Sequence, residues 1–410
     1  MKRLAATLAC LLFVAVAAAD SLNCRLVGTC DTPGWAFAVA VSGSHAFVGD
    51  FQVGLRVIDV SDPADPQEIG FCDTLGQVSG VAVAGDYVYA ADCAGSLRVV
   101  DVSDPENPRQ VGTGETPGYA YHVAVAGSHA YVADLYGGLR VIDVSDPADP
   151  QEVGFYSTPH DAFHVAVAGD HAYVANLAGG LRVIDVSDPA DPQEVGHCET
   201  PDVARGVAVT GSNAYVTADT AGLRVIDVSD PENPREVGFC DTPGNAFRVT
   251  VAGNYAYVAD NFSGLRVIDV SDPENPREAG YYDTPGYAEE TAVVGRLVYV
   301  ADYACGLQII EFNGGTGVEE EPGRPVAGRL PTVIRGVLSL PRDMTDFGPA
   351  KSDRVPRPAL LDASGRKVMT LTPGENDVRH LAPGVYFVSP GDSRDPGGGK
   401  SNTSKVVITR

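Results

Sequence analysis

The sequence predicts an all-β protein: a seven-bladed β-propeller followed by a small β-sandwich. Three observations carry this reading. A decapeptide, GLRVIDVSDP at residues 54–63, recurs with its leucine at Leu55, Leu97, Leu139, Leu181, Leu223, Leu265 and Leu307, every step 42 residues. Each period holds four strand-like runs, the content of one propeller blade. The seventh period lacks its fourth run, and an unpaired run of matching sequence stands at the beginning of the chain.

The four runs are clear in one copy: residues 122–126 (HVAVA), 130–133 (AYVA), 139–144 (LRVIDV) and 151–156 (QEVGFY). A Gly-Ser pair joins the first two as a tight turn. SDPADP joins the third and fourth, where two prolines and two aspartates enforce a loop. The runs are nearly continuous in Val, Ala and Ile, as expected for sheets covered on both faces. In the last unit, the third run ends at Phe312 and a Gly-rich acidic stretch follows. Residues 24–33 (CRLVGTCDTP) match the fourth run of other copies, for example residues 236–243 (EVGFCDTP). The start of the chain is therefore expected to complete the last blade, and a closed ring leaves no exposed sheet edge.

The repeat resembles the LVIVD-repeat proteins, on LRVID at residues 139–143 and its copies, over residues 23 to 313. The resemblance implies a propeller, frequently on bacterial or archaeal cell surfaces, and no common activity.

The remainder divides as follows. Lys2, Arg3, an apolar run over residues 4–19 and the small residues Ala17, Ala18 and Ala19 read as a signal peptide, 1–19, cleaved near Ala19. The run is shorter than a spanning helix of about 20 residues, so no transmembrane segment is expected in the mature chain. The propeller is assigned to 20–313. An acidic Gly/Pro linker occupies 314–328, and a C-terminal domain 329–410. This tail is similar to the type IX secretion sorting domain and to the immunoglobulin-like module of hook-capping proteins. The matching residues are 361–368 (LDASGRKV), Gly374 with Asn376, 381–387 (LAPGVYF) and 405–410 (KVVITR); a long insert at 389–404 departs from the pattern. The resemblance implies engagement of secretion machinery, or surface attachment.

A net charge of −25 argues against nucleic acid and anionic membrane surfaces as partners. Seven of eight cysteines follow the signal, an odd number that does not make a full disulfide framework. Cys30 and Cys305 form a candidate bridge, because both fall where the ring should close. No nucleophile elbow, zinc-protease helix, phosphate loop or dinucleotide fingerprint occurs, and no cofactor or metal is expected.

Because the copies are nearly identical, their disagreements locate function. Counting 17 back from each repeat leucine gives Ala38, Gly80, His122, His164, Gly206, Arg248 and Glu290. One residue earlier lie Phe37, Ser79, Tyr121, Phe163, Arg205, Phe247 and Glu289. These rings precede the innermost strands and are expected at the channel rim. His122, His164, Arg205, Arg248, Glu289, Glu290, Tyr121 and Phe163 are the candidate ligand-binding residues. The reading is a secreted or outer-surface, non-enzymatic protein that binds a protein or glycan partner through this rim. The alternative is an extracellular hydrolase or lyase with its site at the rim formed by His122, His164, Arg205 and Arg248.

Overall fold

The computed structural model describes residues 21–74 and 76–314 in full. Beyond them it describes the strands Val333–Ile334, Val337–Leu340, Ala359–Asp362, Lys367–Thr370, Gly374–Asp377, Gly384–Ser389 and Ser404–Ile408. The expected signal peptide, 1–19, and the expected linker beyond Gly314 lie outside the described residues. The chain divides into two compact units, Met1–Gly314 and Gly315–Arg410.

In the first unit, seven antiparallel four-stranded meanders follow the repeat. The third blade consists of His122–Ala126, His129–Ala133, Leu139–Asp143 and Gln151–Tyr156, hydrogen-bonded in that order from the innermost strand outward. The last blade consists of Glu290–Val294, Leu297–Ala301 and Leu307–Phe312, completed by a strand from the start of the chain, β2 (Cys24–Cys30). Its register runs from Cys24 opposite Phe312 to Cys30 opposite Leu307. The closure expected from the sequence is therefore present. One strand was not foreseen: β1 (Ser21–Leu22) adds to the outer edge of the sixth blade, opposite Tyr281 and Tyr282. Asn23 joins β1 to β2 in a left-handed conformation, and its side-chain amide donates to the Ala279 carbonyl at 2.7 Å. The start of the chain thus staples two blades.

The hydrophobic core is divided among the contacts between blades. Tyr131, Ala133, Leu139 and Val141 of the third blade pack against Val165, Ala172, Val174 and Ile184 of the fourth. The same cluster recurs at every junction, including the one between the seventh blade (Tyr299, Ala301, Leu307, Ile309) and the first (Val39, Ala46, Val48, Ile58). Alternate residues of each strand face opposite neighbours, which is why the runs are apolar on both faces. The glycine of QEVGFY reflects the tightest of these contacts. A Cβ on Gly154 would stand 2.2 Å from the carbonyl oxygen of Pro189 in the next blade's loop. Gly28 of β2 meets Pro63 of the first blade in the same way, so the closing strand reproduces the contact made inside the ring.

The acidic loops are self-contained turns. Asp143 accepts the Ser145 N–H at 2.8 Å, Asp146 accepts the Ala148 N–H at 3.0 Å, and Asp149 accepts the Gln151 amide at 2.8 Å. The hydrogen bond from Ser145 holds the Asp143 carboxyl below its usual range. A second set of carboxylates, five residues before the repeat leucines, is fully buried. Asp134 accepts the Thr116 hydroxyl at 2.6 Å and the Gly118 N–H at 2.7 Å. These donors lie 16 to 18 residues upstream, so each such carboxylate pins the loop that enters its own blade.

The Cys30–Cys305 bridge is not formed. Both thiols are free, because the register sets Cys30 opposite Leu307, two residues beyond Cys305. Backbone pairing closes the ring instead. In the second unit, Val333–Ile334, Ser404–Ile408, Gly384–Ser389, Ala359–Asp362 and Lys367–Thr370 form one sheet in that order, and Val337–Leu340 pairs with Gly374–Asp377. The side-chain packing that would make these a sandwich lies outside the described residues.

Candidate functional site

The seven innermost strands converge, so side chains at equal height share one axial space. The ring Ala38, Gly80, His122, His164, Gly206, Arg248 and Glu290 fills it. Four members are large and three are small. The small ones are required: a Cβ on Gly206 would lie 2.7 Å from Thr217 Oγ1 and 2.8 Å from Arg248 Cα. Arg248 is 1% exposed and reaches across the axis. Its guanidinium donates to Glu290 Oε2 at 3.0 Å, to the Phe37 carbonyl at 3.2 Å and to the Ser79 carbonyl at 2.8 Å. One side chain from the sixth blade thereby ties the seventh, first and second.

His122 and His164 complete this plug, with ring centroids 3.5 Å apart and planes nearly parallel. Each Nδ1 faces a backbone donor on the next blade: the Val165 N–H at 3.5 Å and the Val207 N–H at 3.4 Å. Nδ1 is thus an acceptor, and the neutral ring carries its proton on Nε2. Nε2 of His122 in turn lies 3.6 Å from Glu290 Oε1. Burial first, then the charge of Arg248, pushes the His122 pKa well below its usual value; for His164 the neighbouring His122 adds to burial and Arg248.

Donor atoms of His122, His164 and Glu290 lie within 4.8 Å of one another, the number and kind of ligands a metal ion takes. The hydrogen bonding does not fit one. A metal-bound imidazole donates its second N–H outward, whereas here the second nitrogen meets another N–H. Glu290 is moreover already neutralised by Arg248. The donor set is complete as a plug without a cation.

The second ring lies at the mouth above the plug. The N–H groups of Tyr121, Phe163, Arg205, Phe247 and Glu289 each bond to the second strand of their own blade at 2.8 to 2.9 Å, which sets them at one level. Arg205 binds Asp219 at 2.6 Å and covers the rings of Phe163 and Phe247. Arg248 lies beneath Tyr121 and Phe247. Glu289 is buried; its Oε1 is 3.4 Å from the Asn261 amide, and its Oε2 has no hydrogen-bond partner. Burial pushes its pKa up to about 7, against the pull of Arg248 and Arg205.

The eight residues singled out from sequence are therefore brought together, but in two layers. His122, His164, Arg248 and Glu290 form the buried plug. Tyr121, Phe163, Arg205 and Glu289 line the mouth, and of these only Tyr121 and Arg205 are partly exposed. Sequence reasoning placed Phe37 in the rim ring but missed the aromatic residues around it. On the seventh and first blades Trp35 stacks on Tyr303 at 4.8 Å, Phe37 stacks on Phe51 at 4.6 Å, and Tyr287 lies 5.6 Å from Tyr303. Tyr119 and Tyr136 meet edge to face on the third blade, half or more exposed. The signal was available in the copies: Trp35, Gln77, Tyr119, Asp161, Val203, Asn245 and Tyr287 occupy one repeat position. The same face carries the strained backbone. Leu135, Leu177, Asp219, Asn261 and Tyr303 have φ between 41° and 50°, a conformation costly for bulky residues. It is held by bridges such as that between Tyr303 and Ala36.

Seven segments match the LVIVD repeat, at residues 33–74, 75–116, 117–158, 159–200, 203–242, 243–284 and 285–311. The chain belongs to the LVIVD-repeat family. No curated protein matches it. Among solved structures, the LVIVD chain is similar to the computationally designed Ika8 protein, with a TM-score of 0.53 at 10% identity over 70% of this chain and 99% of that one. That likeness concerns the fold alone. In this LVIVD protein, the repeat supplies the ring, and its irregular positions supply the plug and the mouth.

Proposed function

We propose that the protein is a secreted or cell-surface binding module that engages a protein or glycan through the mouth face of the propeller. The observation that carries this reading is the aromatic arc of Trp35, Phe37, Phe51, Tyr287 and Tyr303. It lies on a face where the near-identical copies diverge, and aromatic side chains dominate recognition surfaces. The hydrolase or lyase alternative placed its site at His122, His164, Arg205 and Arg248, with the two histidines as the acid–base pair. Their burial and their hydrogen bonds within the plug weaken it.

Replacing Trp35 and Tyr287 together by alanine is expected to lower binding to isolated surface material of the source cell by about tenfold or more, the loss of two aromatic contacts. Phe71→Ala, on an outer strand away from the mouth, should leave it intact. A loss with Phe71→Ala alone would place the interface elsewhere.

The C-terminal unit is read as an export or attachment module, on its resemblance to sorting domains. Among the described residues no helix is long and apolar enough to cross a membrane. A chain lacking residues 329–410 is expected to accumulate in the periplasm, measured by fractionation; unaltered export would remove the reading.

A further inference from the structure

We infer that the mouth of the propeller takes a cationic side chain, the ammonium of a lysine or the guanidinium of an arginine on a partner protein, against the carboxylate of Glu289. This rests on the mouth face being the binding face and names what it binds.

Three observations lead there. The first is the pairing of charges. Arg248 is neutralised by Glu290 at 3.0 Å and Arg205 by Asp219 at 2.6 Å. Asp302, a further carboxylate of the same blade, is taken up by the Thr284 hydroxyl and the Gly286 N–H. Glu289 is left with an oxygen that has no partner, although the residue is 5% exposed. A buried carboxylate oxygen without a donor is costly, and its natural complement is a cation that brings its own N–H groups.

The second observation is the distribution of cations over rings. On one side of the mouth, Phe163, Phe247 and Tyr121 each have an arginine of this chain over the ring. On the other side, among the described residues, Trp35, Phe37, Phe51, Tyr287 and Tyr303 have aromatic contacts and no cation. Glu289 stands between the two sides, with Arg248 and Arg205 near enough to act on its charge. Its neighbours in the mouth ring are Phe37 and Phe247, and Tyr287 precedes it by two residues. The chain therefore places an arginine over the aromatic rings on one side of Glu289 and none over those on the other. Ammonium and guanidinium groups are attracted to aromatic faces, and a carboxylate beside them adds to that attraction. The third observation is the net charge of −25, which draws basic partners toward the surface.

Trp35 is the single tryptophan of the chain and lies in the arc, so its fluorescence reports on the site. The test titrates the full chain with three capped tripeptides, Gly-Lys-Gly, Gly-Arg-Gly and Gly-Gln-Gly, and separately with zinc chloride and a neutral oligosaccharide. The lysine or arginine peptide should change Trp35 emission saturably, and the glutamine peptide should bind about tenfold more weakly or worse. Glu289→Gln should lower affinity for the cationic peptides by about tenfold or more while Glu106→Gln, on an outer loop, does not. Affinity should also rise between pH 5.5 and pH 8. The carboxylate must ionise to hold the cation; burial opposes that ionisation, Arg248 and Arg205 favour it, and Asp302 and Glu290 oppose it.

Several results would overturn the inference: equal binding of the glutamine peptide, an unchanged affinity in a Glu289→Gln protein that melts like the wild type, or no response to either cationic peptide. If the oligosaccharide or the cell-surface material still binds and is lost on replacing Trp35, the mouth remains the binding face and only the cationic occupant falls. A one-to-one response to zinc abolished by His164→Ala would assign the site to a metal instead.

Discussion

A chain that begins at Asp31 is expected to lose its cooperative fold. Removing β1 and β2 deletes the six register pairs between Cys24–Cys30 and Leu307–Phe312 and the staple on the sixth blade. Backbone hydrogen bonds contribute about 0.5–1.5 kcal/mol each. With the lost burial of Cys24 and of the Gly28 contact, the penalty is on the order of 5 kcal/mol or more, comparable with the whole stability of many domains. It also uncovers Leu307–Phe312 as an apolar edge, which invites aggregation. Urea unfolding followed by circular dichroism, with light scattering for the aggregate, measures both. Transplanting residues 24–30 to follow Phe312 through a copy of the SDPADP loop should restore the midpoint, since other blades receive their outer strand that way. A truncated chain that unfolds at the wild-type midpoint would show that the closing strand is dispensable.

Arg248→Met is expected to destabilise the propeller by about 3–5 kcal/mol, the usual cost of leaving one partner of a buried ion pair alone. Glu290 would keep a buried charge with only the two histidines and the Val39 N–H beside it. The Phe37 and Ser79 carbonyls would lose their donor. Adding Glu290→Gln should recover part of the loss, because it removes the stranded charge, and a double-mutant cycle would then show coupling of about 1 kcal/mol or more. Arg248→Lys is expected to behave more like the methionine than like the wild type, since one ammonium cannot fork toward acceptors on three blades. Additive single-mutant effects would mean that Arg248 acts by filling space alone.

Much of this was legible in the residues. The 42-residue period located the strands, because alternation and loop chemistry are local. The unpaired run at residues 24–33 foretold the closure. The positions where the copies disagree pointed to the plug and the mouth. The Asp-rich loops also gave up their role locally, since each aspartate caps an N–H two residues ahead. The misplaced Cys30–Cys305 bridge shows where local reasoning stops. It depended on a register across 275 residues of chain, and the bulge between Leu26 and Gly28 shifts that register.

By itself, then, the sequence determined seven blades, their strand order and the candidate residues around the axis. Only the tertiary structure decided that His122, His164, Arg248 and Glu290 are a sealed plug, while Tyr121 and Arg205 are partly exposed at the mouth and Glu289 is buried beside them. The physical reason is that consecutive residues of a strand face different spaces, and the axial space is shared by seven strands at once. What Arg248 can do depends on Ala38, Gly80 and Gly206 being small, on carbonyls more than 150 residues away, and on Glu290 arriving from the neighbouring blade. No local pattern encodes that sum; it exists only when the ring closes.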